Sequence, residues 1–306
     1  MSDFLSTLSV SYLPELELHC PTELDDVFTK LAIGAQPLAG GTDILLWASH
    51  RGEPRHLVWT GGIAELQNFD VDGGVLRIGA AVPVTRLIRS SSFRAAATAV
   101  AEGAQSIGSV QLRNQATLMG NVCTASPAGD TLPGLLVHDA VVEIASSGDN
   151  RRTINLSDFL KGPGKTDLKP GELCTALSFS PLQEGEVSHY KRFTERKALD
   201  LAFASVAARL RFDSDGHTVT AARLALGSVG STAIDASEAT EILIGQQLSE
   251  GSLHSCAQAA AEICSPISDH RASADYRRQL IKVLVGDVVT ETARRATLAG
   301  LQKDFK

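Results

Sequence analysis

Up to about residue 270 the hydrophobic pattern of this chain switches repeatedly between the strand and the helix period, and that points to a mixed αβ fold of short strands and helices. "ELELH" (15–19) alternates as a half-buried strand does. Thr22 then stands where a helix N-cap would, with Asp25 three residues on, a variant of the capping box. Leu24, Val27, Phe28 and Leu31 follow at helical spacing, so a helix is expected over 23–33, closed by Gly34. "QPLAGG" leads a short strand into a glycine turn, and "DILLWASHR" opens another helix with its acid at the N-terminal end.

The same punctuation continues. "HLVWT", "VLRIGAA", "AVVEIAS" (140–146) and "LCTALSFSP" read as strands, and "PVTRLIRSS" and "SSFRAAATAVAEGA" as helices. "GPGKTDLKPGE" (162–172) reads as a loop. Composition shifts near 181–187, and beyond it "HYKRFT", "LAFASVAARLRF" and "TVTAARLALGSV" read as strands with a turn at "DSDGH". In the last of these Arg223 faces away from Leu224 and Leu226. Helices at about 233–244, 252–263 and 273–298 close the chain, the last with Tyr276, Leu280, Val283 and Leu284 in one stripe and Gly286 as its weak point. There is no internal repeat and no low-complexity tract.

Several function classes lose support at once. The 306 residues are enough to bury a core without staples, and a net charge of −7 argues against nucleic acid or anionic membrane as partner. No run of about 18 apolar residues occurs and the N-terminus has no signal-peptide pattern, so a cytoplasmic protein without a membrane span is expected. The five cysteines (20, 123, 174, 256, 264) are odd in number and never C-x-x-C, which fits reduced thiols rather than a cluster or zinc knuckle. "GKT" (164–166) fails as a phosphate loop because Phe159 stands where the first glycine belongs. No G-x-G-x-x-G follows a strand, Ser126 lies in no nucleophile elbow, and the eight histidines form no close ligand pair in sequence.

Two glycine-bearing stretches remain. "PLAGGTDILL" (37–46) and "TLMGNVCTASPAGDTLPG" (117–134) offer backbone amides, hydroxyls and a carboxylate, but no Lys, Arg or His. Consecutive amides in glycine turns make an anion-binding nest, and glycine lets a ligand approach the backbone closely. Thr42, Thr117 and Thr124 can donate, Asn121 can donate and accept, and Asp130 can accept from sugar hydroxyls. Such a set suits a dinucleotide gripped without lysine.

"PLAGGTDIL", "IGSVQLRNQATLMGNVCTASPAGDTLPGLL" and "YKRFTERKALDLAFASVAA" closely resemble the FAD-binding subunit of molybdenum hydroxylases, the xanthine dehydrogenase and carbon monoxide dehydrogenase family. The likeness runs from about residue 10 to 295 and includes the "GPGKTDLKPGEL" loop. It implies an α+β fold: an FAD-binding domain of the PCMH or vanillyl-alcohol-oxidase type with αβ subdomains at 1–58 and 59–181, then a C-terminal domain at 182–306, a small antiparallel sheet packed with helices. It implies that the FAD diphosphate meets Ala39, Gly40, Gly41 and Thr42, flanked by Pro37, Leu38 and Asp43. Thr117, Leu118, Met119, Gly120 and Asn121, with Thr124 and Asp130, carry over as the second binding loop. Ile107, Gly108, Cys174 and Lys191 match positions near the flavin ring. Met119 departs from the family's usual T-x-G-G-N, and a free N–H rather than a positive φ is expected there.

The implied role is electron transfer. A large molybdopterin-binding subunit and a small subunit with two [2Fe–2S] clusters are the implied partners, in a dimer of heterotrimers, with no catalytic acid or base on this chain. A stand-alone FAD-dependent oxidase or reductase, and a non-catalytic assembly module, are the competing readings.

Overall fold

The computed structural model describes residues 15–46, 56–71, 74–214 and 216–303. β1 (Glu17–His19), α1 (Leu24–Ala32), β2 (Gln36–Leu38) and β3 (His56–Trp59) form the first layer pair. The strands are parallel in the order β1-β3-β2, with Glu17 opposite His56 and Pro37 opposite Val58. α1 lays Leu24, Val27, Phe28 and Leu31 on a core shared with Val58, Ile63 and Leu66. Thr22 does not cap it: Glu23 occupies the N-cap without a side-chain bond, and Asp25 and Asp26 serve the helix dipole instead. Gly34 ends the helix turn at φ +88. The "DILLWASHR" helix is seen over 44–46, and its remainder lies outside the described residues.

β4 (Phe69–Asp70) and β5 (Leu76–Gly79) begin the second sheet. The helices α2 (Val84–Arg89), α3 (Ser91–Ala96), α4 (Thr98–Gln105), α5 (Val110–Gln115), α6 (Leu118–Thr124) and α7 (Leu132–Val137) follow. β6 (Val141–Ser146), β7 (Asn150–Asn155) and α8 (Leu156–Phe159) lead into a small ribbon of β8 (Leu160–Gly162) and β9 (Lys165–Thr166). β10 (Leu173–Phe179) completes an antiparallel sheet in the order β4-β5-β10-β6-β7. The helix expected across 91–104 is broken at Ala97 (φ −147, ψ 59). The Leu182 amide donates to the Ala96 carbonyl at 2.7 Å, taking an acceptor that a continuous helix would give to Val100.

The third sheet is an antiparallel meander of β11 (Glu186–Phe193), β12 (Ala204–Phe212), β13 (Val219–Gly227) and β14 (Ile234–Asp235). Its alternation assigns the faces. Val206, Ala208, Leu210, Leu224 and Leu226 join the core under α9 (Glu250–Ile263) and α10 (Ala274–Lys303), whereas Ala207 and Ala225 join the core of the second sheet. The all-buried α7 fills the space between the two sheets. Residues 233–244 are not an α-helix: Asp235 Oδ1 accepts from the Ser237 amide and hydroxyl, a local turn that competes with helix and leaves only a 3₁₀ segment at Ser237–Leu243. α10 does run through Gly286, where added side-chain volume would meet open space. Its buried stripe is Leu280, Ile281, Leu284, Val285, Val288 and Val289, while Tyr276 and Val283 are exposed, a rotation of the expected stripe.

His138, at the end of α7, is wholly buried at the seam between these sheets. The Ser180 carbonyl, 2.7 Å from Nδ1, can only accept, so Nδ1 carries the proton and Nε2 accepts from the Ser188 hydroxyl at 3.2 Å. Burial lowers the imidazole from 6.5 to about 4. The unfolded chain therefore binds an extra proton between those values, and stability falls as pH drops through that window. The loss expected from this one group is about 3 kcal/mol. Denaturant unfolding at stepped pH should show that slope, and His138→Gln should flatten it.

Candidate functional site

The glycine loops meet. β2 delivers Ala39, Gly40 and Gly41 to a point where Gly40 abuts the chain between α5 and α6. A Cβ on Gly40 would lie 2.0 Å from the Gln115 carbonyl oxygen and 2.9 Å from the Ala116 Cα. Just beyond, Thr124 Oγ1 lies 2.9 Å from Asp43 Oδ2 and 3.0 Å from the Gly120 carbonyl, placing its hydroxyl between both acceptors. Thr117 bridges to Pro83, and the Val84 amide donates to the Ala116 carbonyl at 2.8 Å, which fixes the second loop to α2. Gly41 sits at φ +73, a backbone that favours glycine.

The backbone is what these loops present. Among the described residues no acceptor pairs with the amides of Gly40, Gly41 or Thr42. Thr117 caps α6 by accepting from the Gly120 amide at 2.9 Å, and Asn121 N returns to the Thr117 carbonyl. Leu118 and Met119 are the first-turn residues whose amides no helical carbonyl serves. Their side chains are buried in the core, so only their main chain can face a ligand. Met119 has ordinary helical backbone and is absent from the left-handed residues, so the missing glycine causes no strain. Asn121 Oδ1 accepts from Thr131 Oγ1 at 2.6 Å, which leaves its Nδ2 group to donate. These amides, with the positive φ at Gly41 and no competing cation on either loop, fit the diphosphate of a dinucleotide.

The remaining candidates are distributed differently. Pro37 and Leu38 are half-buried in β2, and the Leu38 carbonyl accepts from the Thr60 amide at 2.9 Å. Ile107 packs beside Ala116, with its carbonyl held by Arg113 at 2.7 Å, and Gly108 (φ +40) follows, so both border the second loop. Cys174 is buried in β10 with its thiol against Cys123 of α6; that contact, together with burial, pushes the Cys174 thiol well up. All five cysteines are free. Lys191 points to the other face of β11, where Nζ pairs with Asp287 of α10 at 2.7 Å beside a cleft of about 560 Å³ that no loop residue lines.

Asp130 is engaged by two donors from the neighbouring meander. Its Oδ1 accepts from Tyr190 Oη at 2.6 Å and its Oδ2 from Arg192 Nη1 at 2.5 Å. Burial raises its carboxyl, against the pull of Arg192 and Tyr190, and burial likewise pushes the Tyr190 phenol up. Tyr190 and Arg192 are i, i+2 on β11 and so share the face turned to the loop; sequence reading selected the residue between them. β11 reads EVSHYKRF, polar on both faces, so no alternation in the sequence singles them out; only its pairing with β12 and the approach of the loop do. Glycines 103 and 134 are likewise packing residues: a Cβ on Gly103 would lie 2.3 Å from the Asp130 carbonyl oxygen, and one on Gly134 2.9 Å from Ala99.

Family comparison agrees with this arrangement of a loop-bearing domain and a meander. Residues 14–180 match the FAD binding domain in molybdopterin dehydrogenase, and residues 188–292 match the CO dehydrogenase flavoprotein C-terminal domain. The chain belongs to the FAD-binding medium subunits of the molybdenum hydroxylases, the xanthine and CO dehydrogenase family, and is an oxidoreductase subunit. It is 32% identical to the xanthine dehydrogenase FAD-binding subunit of Escherichia coli O157:H7 over 91% of this chain and 96% of that one. It is 29% identical to the carbon monoxide dehydrogenase medium chain of Hydrogenophaga pseudoflava, over 89% and 95%. The solved carbon monoxide dehydrogenase of that organism superposes with a TM-score of 0.87 at 27% identity, covering 93% of this chain and 99% of its own. Quinoline 2-oxidoreductase from Pseudomonas putida 86 gives 0.87 at 28%, covering 93% and 99%. Among the described residues no helix is long and apolar enough to cross a membrane.

Proposed function

We propose that this chain carries FAD between the two glycine loops and relays electrons from the [2Fe–2S] clusters of a small partner subunit to an external acceptor. A large molybdopterin-binding subunit would house the substrate chemistry, in a cytoplasmic dimer of heterotrimers. The observation that carries the reading is the interlock of Gly40 with Gln115 and Ala116, closed by the Thr124–Asp43 hydrogen bond.

In this reading the PCMH-type domain divides into subdomains at 1–58 and 59–181, each contributing one loop, and 182–306 is the third domain. The amides of Gly40, Gly41 and Thr42 bind one side of the diphosphate, and those of Leu118 and Met119 the other. The Asn121 Nδ2 group donates to a ribityl or ribose oxygen. Ile107 and Gly108 line the approach to the ring. Bound FAD supplies the redox chemistry, and the protein supplies position and electrostatics. The latch of Asp130, Tyr190 and Arg192 holds the meander against the second loop, so the cleft keeps its width. Within residues 39–43 and 117–121 the only ionisable side chain is Asp43, and Thr124 occupies it. That lack of an acid or base favours a relay over a stand-alone oxidase or reductase.

The test is purification of the chain alone and beside its partners. The isolated chain should take up one FAD and show flavin absorbance, yet turn over no substrate, and it should copurify with a molybdopterin-type large chain and a cysteine-rich small chain. Absence of a flavin band after FAD is added, or an active lone monomer, overturns the proposal.

A further inference from the structure

We infer that Glu17, His19 and His56 form a binding site for a divalent cation of the zinc type on the first parallel sheet, apart from the flavin loops. The parallel register of β1 and β3 creates it. Glu17 and His19 are i, i+2 and share a face, and His56 is the direct cross-strand partner of Glu17. One donor atom from each of the three residues lies within 4.8 Å of the others.

The distances fit a metal. His19 Nε2 is 3.4 Å from Glu17 Oε1, and His56 Nδ1 is 3.2 Å from Glu17 Oε2. Zinc bonds of about 2.0–2.1 Å place neighbouring donors of a tetrahedral set about 3.3 Å apart. The His19 side chain is only 13% exposed, and its Nε2 is closed off from solvent without a hydrogen-bond partner. A buried polar atom in that condition is costly unless something satisfies it, and a cation beside Glu17 does so. The two imidazoles are stacked, with centroids 6.3 Å apart and 10° between planes, and each brings one ring nitrogen within 3.4 Å of a Glu17 carboxylate oxygen. The His56 side chain is 46% exposed.

Two imidazoles and one carboxylate are a borderline donor set, suited to Zn²⁺ rather than to Ca²⁺ or Mg²⁺, and the open outer side leaves a fourth position to water. The site's role is a clamp. β1 is three residues long and, among the described residues, pairs only with β3, so an ion ligated from both strands ties the first strand to the sheet.

The experiment is titration of the full-length, reduced chain with Zn²⁺, followed by calorimetry and thermal unfolding, and with Co²⁺, followed by absorbance. One ion per chain, a raised Tm and Co²⁺ d–d bands without thiolate charge-transfer bands are expected. His56→Ala and Glu17→Gln replace exposed side chains, so folding is preserved. Each should weaken Zn²⁺ binding by at least the roughly 10–100-fold that losing an outer-shell partner costs, with FAD content unchanged. Cys20→Ser, adjacent to the site, should leave uptake intact. No uptake by the wild-type chain, uptake that survives His56→Ala, or thiolate bands that vanish in Cys20→Ser would each overturn the site.

Discussion

Replacing Asp130 by alanine is expected to destabilise the folded chain by about 3–5 kcal/mol, because it leaves a buried guanidinium and a buried phenol without their shared acceptor. Both side chains are enclosed: the Arg192 side chain is 11% exposed and Tyr190 4%. The Arg192 guanidinium would keep only a 3.3 Å contact to the Asp200 carbonyl. Asp130→Asn preserves the shape and an acceptor for Tyr190 but cancels the charge, so it should cost less, about 1–3 kcal/mol. Denaturant unfolding of the three proteins measures the series. If Asp130→Ala unfolds like the wild type, the latch between loop and meander is not a stabilising contact and the carboxylate must be kept for another reason.

Gly40→Ala is expected to weaken FAD binding by roughly 100-fold, about 3 kcal/mol, through overpacking. The atoms in the way are the Gln115 carbonyl and the Ala116 Cα, which are backbone and cannot rotate aside, so the loops must part. Gly41→Ala is the informative comparison. There the neighbours are the flexible ends of Leu38 and Leu45 at 3.2 and 3.3 Å, and the penalty is the left-handed φ of +73, about 1–2 kcal/mol. Flavin retained after gel filtration and the Kd from absorbance titration report both. Equal affinity in Gly40→Ala and wild type would mean that the loops need not touch there for the flavin to be held.

Most elements were legible because their signal is local. The alternation in "ASVAARLRF" and the 3.6-residue spacing from Leu24 to Leu31 need no tertiary partner to be read. Where the reading slipped, a competing hydrogen bond had intervened, distant in one case and local in the other. The Leu182 amide splits the helix at Ala97, and the Asp235 carboxylate diverts 233–244 into a 3₁₀ segment. On α10 the choice between neighbouring stripes depends on the sheet beneath it, which sequence spacing alone does not specify. The two loops were legible through their glycines, but glycine has several uses. Gly40 and Gly103 give room to protein backbone, and only the fold distinguishes that from room for a ligand. The donor set on the first sheet was invisible for a related reason: His56 is far along the chain from Glu17 and His19, and strand pairing alone makes them neighbours.

The alanines at 207 and 225 have a consequence for how the molecule is divided. Because these short side chains, with Tyr190, complete the packing of Leu132, Leu135 and Leu136, the loop-bearing half has no finished exterior where the meander lies. The boundary near 181–187 is therefore a seam in the polypeptide but not in the solid: evolution can lengthen that connection, yet neither half can be lent to another protein without first acquiring a new surface.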